Sequence, residues 1–318
     1  MIDIVIKSWN TLEYTKLAID SIRKTTKLPH RIIIVDDGSN EETLNGLRKI
    51  EDILLIEHGR NLYPPEVAIT ALKHIKSQIA VLMDNDIVLQ DGWLERLLPY
   101  FEDDKVALVA PLKTHSRYIY PGTNKSTKEV WEDIKKLRLP PEEALRKFTQ
   151  NRNLDDFRKL VVENNNIIDE TIMAPPGFVS MCFIVFRVDS VSKAGGLARN
   201  IFPTYGGDDV DLCWRLGVAN YKIIKSSKVY AHHFEHTSIT SNNVDYTARL
   251  AENNMVLYGL WGEIVLGKKE ELEKQYGVEE MKERFPFIEI FKNIKKIYFY
   301  QFSISSSFFL RISMILNF

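Results

Sequence analysis

The 318-residue sequence contains only two cysteines, Cys182 and Cys213, which argues against a fold held together by several disulfides. A reducing, cytoplasmic setting is the expectation that follows. Long uncharged apolar runs are also missing, since none reaches the roughly 18 residues that indicate a membrane span. Asp3 and Lys7 interrupt the first apolar stretch, so no signal peptide is predicted. The formal net charge of -1 gives no overall field that would attract nucleic acid or an acidic membrane.

Predicted strands and helices alternate along about the first 90 residues. The apolar runs at residues 2–6, 31–35, 53–56 and 79–83 are typical of buried strands, and the segments between them have helical spacing. This alternation predicts an α/β fold whose mostly parallel central sheet is covered by helices on both faces. Ligands of such sheets bind beyond the C-terminal ends of the strands, so the residues that follow these runs are candidate site residues.

The pattern changes after Pro111. Residues 124–170 are polar, charged and poor in strand formers, and they predict a helical insertion with helices near residues 127–138 and 141–160.

Strand patterns return at residues 178–186 and 221–231. Between them a helix is expected from Asp208 to about Val218. The last 75 or so residues have a mainly helical pattern.

The first candidate motif is Asp84-Asn85-Asp86, directly after a predicted strand. Of two carboxylates at a strand end, one can bind a ribose hydroxyl and the other a hard divalent ion. Mg²⁺ and Mn²⁺ prefer oxygen ligands and often complete their shells with substrate phosphates. A solvated loop is the alternative for this motif taken alone.

Two further acidic groups follow a strand or open a helix. Asp36 and Asp37 end the second predicted strand, where a carboxylate could accept the imide N–H of a pyrimidine base; an Asx turn or a helix cap is the alternative. Asp208, Asp209 and Asp211 crowd the N-terminal end of a predicted helix. A carboxylate held near other carboxylates could have a raised pKa and act as a general base. Acidic caps favoured by the helix dipole are the alternative.

A histidine cluster follows the last predicted strand: His232, His233 and His236, with Glu235 between them. Histidine is the commonest nitrogen ligand of metals and can also shuttle protons. A purely structural role is the alternative, and the cysteine and histidine spacing of structural zinc sites is absent.

Taken together, these motifs resemble those of the family-2 glycosyltransferases, which have the GT-A fold. The segments that carry the resemblance are IIIVDDGSNEET, MDNDIVL, GGDDVDLCWRL and the histidine after the next strand, in the family's order and over roughly residues 1–240. The resemblance implies an inverting enzyme that moves a sugar from a nucleotide-diphosphate sugar to an acceptor hydroxyl with the help of Mn²⁺ or Mg²⁺.

On this basis we expect four parts. Residues 1–112 would form the nucleotide-sugar-binding half of the GT-A domain, and residues 113–172 the helical insertion. Residues 173–240 would form the catalytic and acceptor half, and residues 241–318 a helical C-terminal extension.

The resemblance also assigns roles to individual residues. The residues expected to bind the nucleotide sugar are Lys7, Ser8, Asp36, Asp37, Asn61, Asp84 and Asn85. The expected metal ligands are Asp86 and His233, with His232 as the second histidine candidate. Asp209 matches the catalytic base, and Asp208 stands beside it where the family usually has glutamate. The residues expected on the acceptor side are Phe202, Tyr205 and Asp211, with ordinary core packing as the alternative for the aromatic loop. Residues 61–65 lack the glycines that are common there in the family.

The expected partners follow from the same resemblance. The donor would be UDP- or dTDP-linked, the acceptor a glycan or a lipid-linked precursor, and nucleic acid is not expected. The aromatic tail from Phe285 carries Lys292, Lys295 and Lys296, so it could lie on the cytoplasmic face of a membrane; packing on the domain or in a homodimer is the alternative.

Two other functions share these features. A nucleotidyltransferase would carry a glycine-rich phosphate loop after the first strand, where residues 8–11 read SWNT. A non-catalytic nucleotide-sugar-binding protein could have the same fold, although the presence of Asp86, Asp209 and His233 argues against lost catalysis.

Overall fold

In the part of the chain that the structure describes, a nine-stranded sheet forms the centre and helices pack on both of its faces. The computed structural model describes residues 1–302 except residues 115–117, 203, 236, 238–239, 241 and 243. Two sequence predictions therefore involve residues outside the described set: His236 in the histidine cluster, and residues 303–318 of the tail.

The first four strands are parallel, as the alternating pattern predicts. They lie in the order β3-β2-β1-β4 and are β1 (Ile2–Ser8), β2 (His30–Asp36), β3 (Ile53–Glu57) and β4 (Ile79–Asp84). The helices that connect them are α1 (Leu12–Thr25), α2 (Glu41–Leu47) and α3 (Tyr63–His74). The inner strands are buried on both faces, as expected from their apolar runs at residues 4–6, 32–35 and 80–83. Their C-terminal ends, with Ser8, Asp36 and Asp84, share one edge of the sheet.

The rest of the sheet is mixed. After β5 (Ile87–Leu89), α4 (Trp93–Leu97) and a 3-10 helix (Leu98–Glu102), the strands are β6 (Val106–Lys113), β7 (Glu170–Thr171), β8 (Phe183–Arg187) and β9 (Lys222–His233). Strand β8 runs antiparallel between β4 and β6, and β5 and β7 are antiparallel to β9. Parallel pairing is thus confined to β1–β4 and to the β6–β9 pair.

The strand predicted over residues 178–186 begins only at Phe183. The segment before it leaves the sheet, and its carbonyl groups accept hydrogen bonds from two lysines: Lys113 Nζ donates to Ser180 O at 3.1 Å and Lys7 Nζ to Met181 O at 3.3 Å. The apolar sequence of this segment is the same as that of a strand, but its backbone forms a wall of the site.

The predicted helical insertion contains α5 (Thr127–Lys135), α6 (Pro141–Phe148) and α7 (Leu154–Asn165). The helix predicted over residues 141–160 is two helices because Gln150 and Asn151 have φ angles of 54° and 60°, outside the right-handed helical region. Asn153 then caps α7 by accepting the Asp156 backbone N–H at 2.9 Å. The insertion packs its aromatic residues against the end of β9.

The C-terminal region is helical, as predicted. Helices α8 (Val188–Lys193) and α9 (Asp208–Val218) precede β9, and α10 (Tyr246–Gly267), α11 (Lys269–Tyr276), α12 (Val278–Arg284) and α13 (Pro286–Phe302) follow it. Ile288, Phe291 and Ile294 of α13 are buried in the main core, so this part of the tail packs on the sheet domain. Among the described helices, none is both long and apolar enough to cross a bilayer.

Candidate active site

Two adjoining cavities lie near the C-terminal ends of the strands, the smaller where β1, β2 and β4 end and the larger beside β6, β7 and β9. The smaller, of about 240 Å³, is bordered by residues of all three strand ends, of the loop before α9 and of the end of β9. The larger, of about 1230 Å³, is bordered by Asp209 and by residues of α12. Ser180, Cys182 and His233 border both. Asp86, at the smaller cavity, and Asp209, at the larger, therefore border neighbouring cavities that share one wall.

Asp84, Asp86 and His233 form the cluster that could hold a metal ion. Each offers a ligand atom, and these atoms lie within 4.8 Å of one another. His233 Nε2 is 3.0 Å from Asp86 Oδ1 and 3.6 Å from Asp84 Oδ2. Carboxylate oxygens suit Mn²⁺ and Mg²⁺, and imidazole is a common ligand of divalent metals, so the residues present fit a divalent cation.

Charge coupling dominates the titration of the Asp86–His233 pair. Burial would raise the pKa of Asp86, but His233 outweighs it and holds that pKa below the ordinary range. Burial would lower the pKa of His233, but Asp86 raises it well above the ordinary value. Ligation requires the neutral imidazole, so protonation of His233 and cation binding exclude each other.

Strand pairing brings Asp86, the residue just before β5, next to His233. Ile87 of β5 pairs with His233 of β9, and Phe234 N donates to Asp86 O at 3.0 Å. Thr237 Oγ1 donates to Asp86 Oδ2 at 2.8 Å, which leaves Oδ1 toward His233.

The structure separates the two adjacent histidines. Because successive side chains of a strand point to opposite faces, His232 points away from the cluster into the insertion core. Its ring lies 4.6 Å from the Trp131 ring and 4.7 Å from the Phe234 ring, and its Nδ1 is 3.1 Å from Thr114 Oγ1. Burial lowers the pKa of His232 to about 3, so this imidazole is neutral. The prediction of His232 as a second metal-ligand candidate has no geometric support.

The two aspartates after β2 divide into a turn residue and a cavity residue. Asp36 is fully buried and accepts the Ser39 backbone N–H at 2.8 Å, which is the Asx-type turn considered as the alternative. Asp37 borders the smaller cavity, and it accepts the backbone N–H groups of Leu62 and Tyr63 at the start of α3 at 2.8 and 3.0 Å. Asn61 Oδ1 accepts the same Tyr63 N–H at 3.1 Å, so Asn61 helps to shape this loop. Burial raises the pKa of both aspartates.

The remaining residues predicted for the nucleotide sugar border the smaller cavity: Lys7, Ser8, Asp84 and Asn85. Lys7 Nζ forms an ion pair with Asp84 Oδ1 at 2.8 Å. Asn85 Nδ2 donates to Thr15 Oγ1 of α1 at 2.8 Å, so its amide also ties the loop to α1.

The three aspartates at the start of α9 have different surroundings. Burial, with the neighbouring Asp209 charge, raises the pKa of Asp208 to about 7, and burial raises the pKa of Asp209 as well. Asp211 is fully buried and forms ion pairs with Arg199 and Arg215. Its place in this ion cluster away from both cavities contradicts the prediction that it lies on the acceptor side.

The aromatic residues predicted for the acceptor also lie elsewhere. Phe202 is buried in the core against Gly207, so ordinary packing, the alternative, is correct for it. Tyr205 borders the smaller cavity, with its ring 5.4 Å from Tyr63 and 6.4 Å from Trp9. It therefore belongs to the wall of the predicted nucleotide pocket.

Sequence reasoning did not mark Lys113, Cys182 or Asn253. Lys113 Nζ donates to Cys182 Sγ at 3.0 Å, and Lys113 with His233 lowers the pKa of this thiol to about 6 against the effect of burial. Asn253 Nδ2 donates to the carbonyls of Tyr205 and Gly206, just before the acidic motif. The one sequence signal for Asn253 is that it is a polar residue on the apolar face of a predicted helix. Cys182 gives no such signal, because in sequence it looks like an ordinary residue of a buried strand.

A sequence model described as glycosyl transferase family 2 matches residues 3–162, half of the chain. Among curated proteins, a pre-mycofactocin glycosyltransferase of Mycobacterium tuberculosis is 27% identical over 188 residues, which are 58% of this chain and 33% of the relative. A chondroitin synthase of Pasteurella multocida is 24% identical over 231 residues, covering 68% of this chain and 23% of the relative. An O-antigen chain rhamnosyltransferase of Salmonella typhimurium is 24% identical over 200 residues, covering 56% and 59%. The chain thus spans about a third or less of the length of the first two relatives.

Solved structures show the same fold. A mannosyltransferase of Pyrobaculum calidifontis in complex with GDP-mannose and Mn²⁺ matches with a TM-score of 0.51 and 14% identity, over 80% of this chain and 63% of the other. GalNAc-T7 with UDP, GalNAc and Mn²⁺ matches with a TM-score of 0.50 and 13% identity, over 73% and 43%. These likenesses confirm the predicted GT-A fold.

Proposed function

This chain belongs to glycosyl transferase family 2, and on that premise we propose an inverting, cation-assisted transfer of a sugar from a nucleotide-diphosphate sugar to an acceptor hydroxyl. One observation carries the proposal: Asp86 and Asp209 border two cavities that share Ser180, Cys182 and His233. A donor-side cluster and a half-buried carboxylate therefore border neighbouring cavities.

The donor would bind in the smaller cavity. Asp86 and His233, with one oxygen of Asp84, would hold the divalent cation. When bound, such a cation supplies Lewis-acid stabilisation of the charge that develops on the leaving nucleotide diphosphate. Asp37 and Tyr205 border the same cavity and would enclose the nucleoside, for which we propose a UDP- or dTDP-linked donor. The nucleotide-bearing complexes of the two structural neighbours support a nucleotide-sugar donor in general.

Asp209 would act as the general base. Its carboxylate borders the larger cavity, and burial raises its pKa toward the working range of a base. The acceptor oxygen forms its bond to the anomeric carbon while Asp209 takes the hydroxyl proton, and the bond to the nucleotide diphosphate breaks on the opposite face of the sugar. One such displacement inverts the anomeric configuration.

The acceptor would occupy the larger cavity, whose walls include Ile172 and Met173 after β7 and Tyr276 and Phe285 near α12. Its volume of about 1230 Å³ exceeds the range of about 300–1,000 Å³ typical of small-molecule pockets, so an acceptor longer than one sugar fits. The named activities of the chondroitin and O-antigen relatives support a glycan acceptor. The family assignment leaves the nucleotidyltransferase alternative without support.

Thermal unfolding with a panel of nucleotide sugars tests the proposal. UDP-, dTDP- and GDP-linked sugars would each be added with Mn²⁺, with Mg²⁺ and with EDTA. One nucleotide class should raise the melting temperature with the cation and much less in EDTA, because a ligand that binds only the native state stabilises it. The same donor should release its nucleotide diphosphate slowly by hydrolysis.

The matched control is Asp86→Asn, which should abolish the dependence of the shift on the cation. The proposal is wrong if no nucleotide sugar changes the melting temperature or releases its nucleotide under any of these conditions.

A further inference from the structure

Lys7 follows the apolar run at residues 4–6 of the central strand β1. It lies next to the C-terminal end of β1 and pairs in register with Asp84 on β4, so the two side chains extend from neighbouring positions on the same face. Lys7 Nζ is 2.8 Å from Asp84 Oδ1 and 3.3 Å from Met181 O. Its side chain is only 15% exposed. Burial of an ammonium group is costly unless it is paired, so this position is held by specific contacts.

The charges around the smaller cavity are unbalanced. Three carboxylates border it, those of Asp37, Asp84 and Asp86, and Lys7 is the one lysine or arginine among the described residues that do so. A nucleotide diphosphate would add further negative charge to this wall. A preorganised positive charge beside the diphosphate is therefore of greatest value at this position.

We propose that Lys7 is a positively charged residue of the donor site with two roles. Its ammonium group pairs with one oxygen of Asp84, and its charge attracts the diphosphate of the donor. This assignment rests on the proposed function, because it presumes that the diphosphate enters the smaller cavity. Lys7 engages Asp84 Oδ1, so Asp84 has Oδ2, on the side of His233, to offer to a divalent cation.

Two opposite effects follow from one charge. Lys7 offsets the charge of Asp84 and repels a divalent cation, so its removal should tighten cation binding. Lys7 attracts the diphosphate, so its removal should weaken binding of the nucleotide. If Lys7 only supported the fold, its removal would weaken both cation binding and nucleotide binding. Tighter cation binding together with weaker nucleotide binding therefore distinguishes the proposal from a structural role.

The test compares Lys7→Met and Lys7→Arg with the wild-type protein. Binding of Mn²⁺ alone is measured from the electron paramagnetic resonance signal of the free ion. Binding of UDP and of GDP is measured by calorimetry, at saturating Mn²⁺ and in EDTA. For Lys7→Met we expect about tenfold tighter Mn²⁺ binding and about tenfold weaker nucleotide binding, the size expected for one unit charge a few ångströms away in a wet site. Lys7→Arg should keep both values within about twofold to threefold of wild type, because it keeps the charge.

Lys16→Met, at an exposed position of α1, is the matched control and should change neither constant. A second readout is a double-mutant cycle with Asp84→Asn. If Lys7 acts on the cation through Asp84, Lys7→Met should tighten Mn²⁺ binding much less in the Asp84→Asn background. Lys7→Gln replaces Lys7→Met if circular dichroism shows that the latter does not fold.

Unchanged or weaker Mn²⁺ binding in Lys7→Met overturns the shared-carboxylate assignment, and unchanged nucleotide binding overturns the role toward the diphosphate. Failure of the proposed function looks different. If wild-type protein does not bind Mn²⁺, the cation-assisted mechanism is wrong, and the nucleotide titrations in EDTA then decide the role of Lys7 alone.

Discussion

At the scale of single residues, the first turn of α9 separates three aspartates by their partners. Asp211 is neutralised by two arginines and accepts a hydrogen bond from Trp261 Nε1 at 2.9 Å, so it serves the fold. For Asp208 and Asp209, burial raises the pKa, although the charge of Lys7 lowers the pKa of both and that of Lys113 lowers the pKa of Asp209. Asp209 is half-buried and lies at a cavity wall with a raised pKa, which are the properties of a base.

Replacing Asp209 with asparagine should remove the base with little change in shape. We expect the rate of sugar transfer to fall by about 10²- to 10⁴-fold, the usual contribution of a general base. Binding of the nucleotide sugar, measured by calorimetry, should stay within a few fold of wild type because Asp209 borders the other cavity. Near-normal turnover of Asp209→Asn would exclude Asp209 from this role.

The raised pKa of Asp208 has a consequence for stability. Its pKa rises from an ordinary 3.8 to about 7 in the folded protein, so folding favours the protonated form. The stabilisation is complete below about pH 4 and is lost as the pH rises through about 7. Asp208→Asn removes this loss. The melting temperature of the variant minus that of the wild type should therefore be larger at pH 8 than at pH 5. The control is Asp20→Asn, at an exposed position, whose melting temperature relative to wild type should not depend on pH. The same result for Asp208→Asn would show that Asp208 is not a buried ionising group.

At the scale of elements, helix α10 holds the loop that presents the acidic motif. Asn253 Nδ2 donates to Tyr205 O at 2.7 Å and to Gly206 O at 2.6 Å. The next residue, Gly207, has φ of 89°, and a Cβ there would lie 3.0 Å from the Phe202 ring. Hydrogen bonds from α10 and this close approach together fix where α9 begins, and thus where Asp208 and Asp209 stand.

Asn253→Asp should therefore misplace the loop, because a carboxylate would face two carbonyl oxygens that now accept from an amide. We expect kcat to fall about tenfold to a hundredfold, in line with the effect of small misplacements of catalytic groups. The Mn²⁺ affinity should stay unchanged, because the metal cluster lies at the ends of β4 and β9 and in the turn between β4 and β5. Glu252→Gln, one residue earlier and exposed, is the control. Equal loss of Mn²⁺ binding would show general unfolding instead of a displaced loop.

The elements that could be predicted from the sequence are those with long patterns. Strands β1–β4 have continuous apolar runs, and α9 has an acidic first turn, so both were predicted to within a few residues. Strand β5 has three residues and β7 two, too few for any periodic signal. Yet the pairing of β5 with β9 brings Asp86 next to His233, a contact between residues far apart in sequence that no local pattern contains.

Side-chain direction was the other limit of prediction. Adjacent histidines at a strand end look alike in sequence, but the alternation of the strand sends His233 to the cleft and His232 to the insertion core. Choosing between them requires knowing which face the insertion covers. Likewise, the ion cluster of Asp211 depends on Arg199, a residue that no motif links to it.

At the scale of the whole molecule, one core joins the N-terminal strands to the C-terminal helices. Leu257, Trp261 and Phe291 belong to the same buried cluster as Val5 of β1 and Trp214 of α9. The insertion has its own cluster around Trp131, Phe148 and Phe157, which reaches the sheet through Tyr230 and Phe234. The helices after β9 should therefore unfold together with the sheet and not as a separate unit.

Phe291→Ala tests this coupling, because Phe291 is fully buried and its ring lies 6.0 Å from the Trp214 ring of α9. Loss of a buried phenylalanine costs about 3–5 kcal/mol of unfolding free energy. Urea unfolding followed by far-UV circular dichroism and by Mn²⁺ release should show one transition, shifted to lower urea for both signals alike. Val278→Ala, half-exposed on α12, should shift it little. The contrary result would be loss of helical signal in Phe291→Ala at a urea concentration at which Mn²⁺ is still bound. The C-terminal helices would then be a separate folding unit. In that case the hydrogen bonds from Asn253 to Tyr205 and Gly206 could not be what keeps the cleft formed.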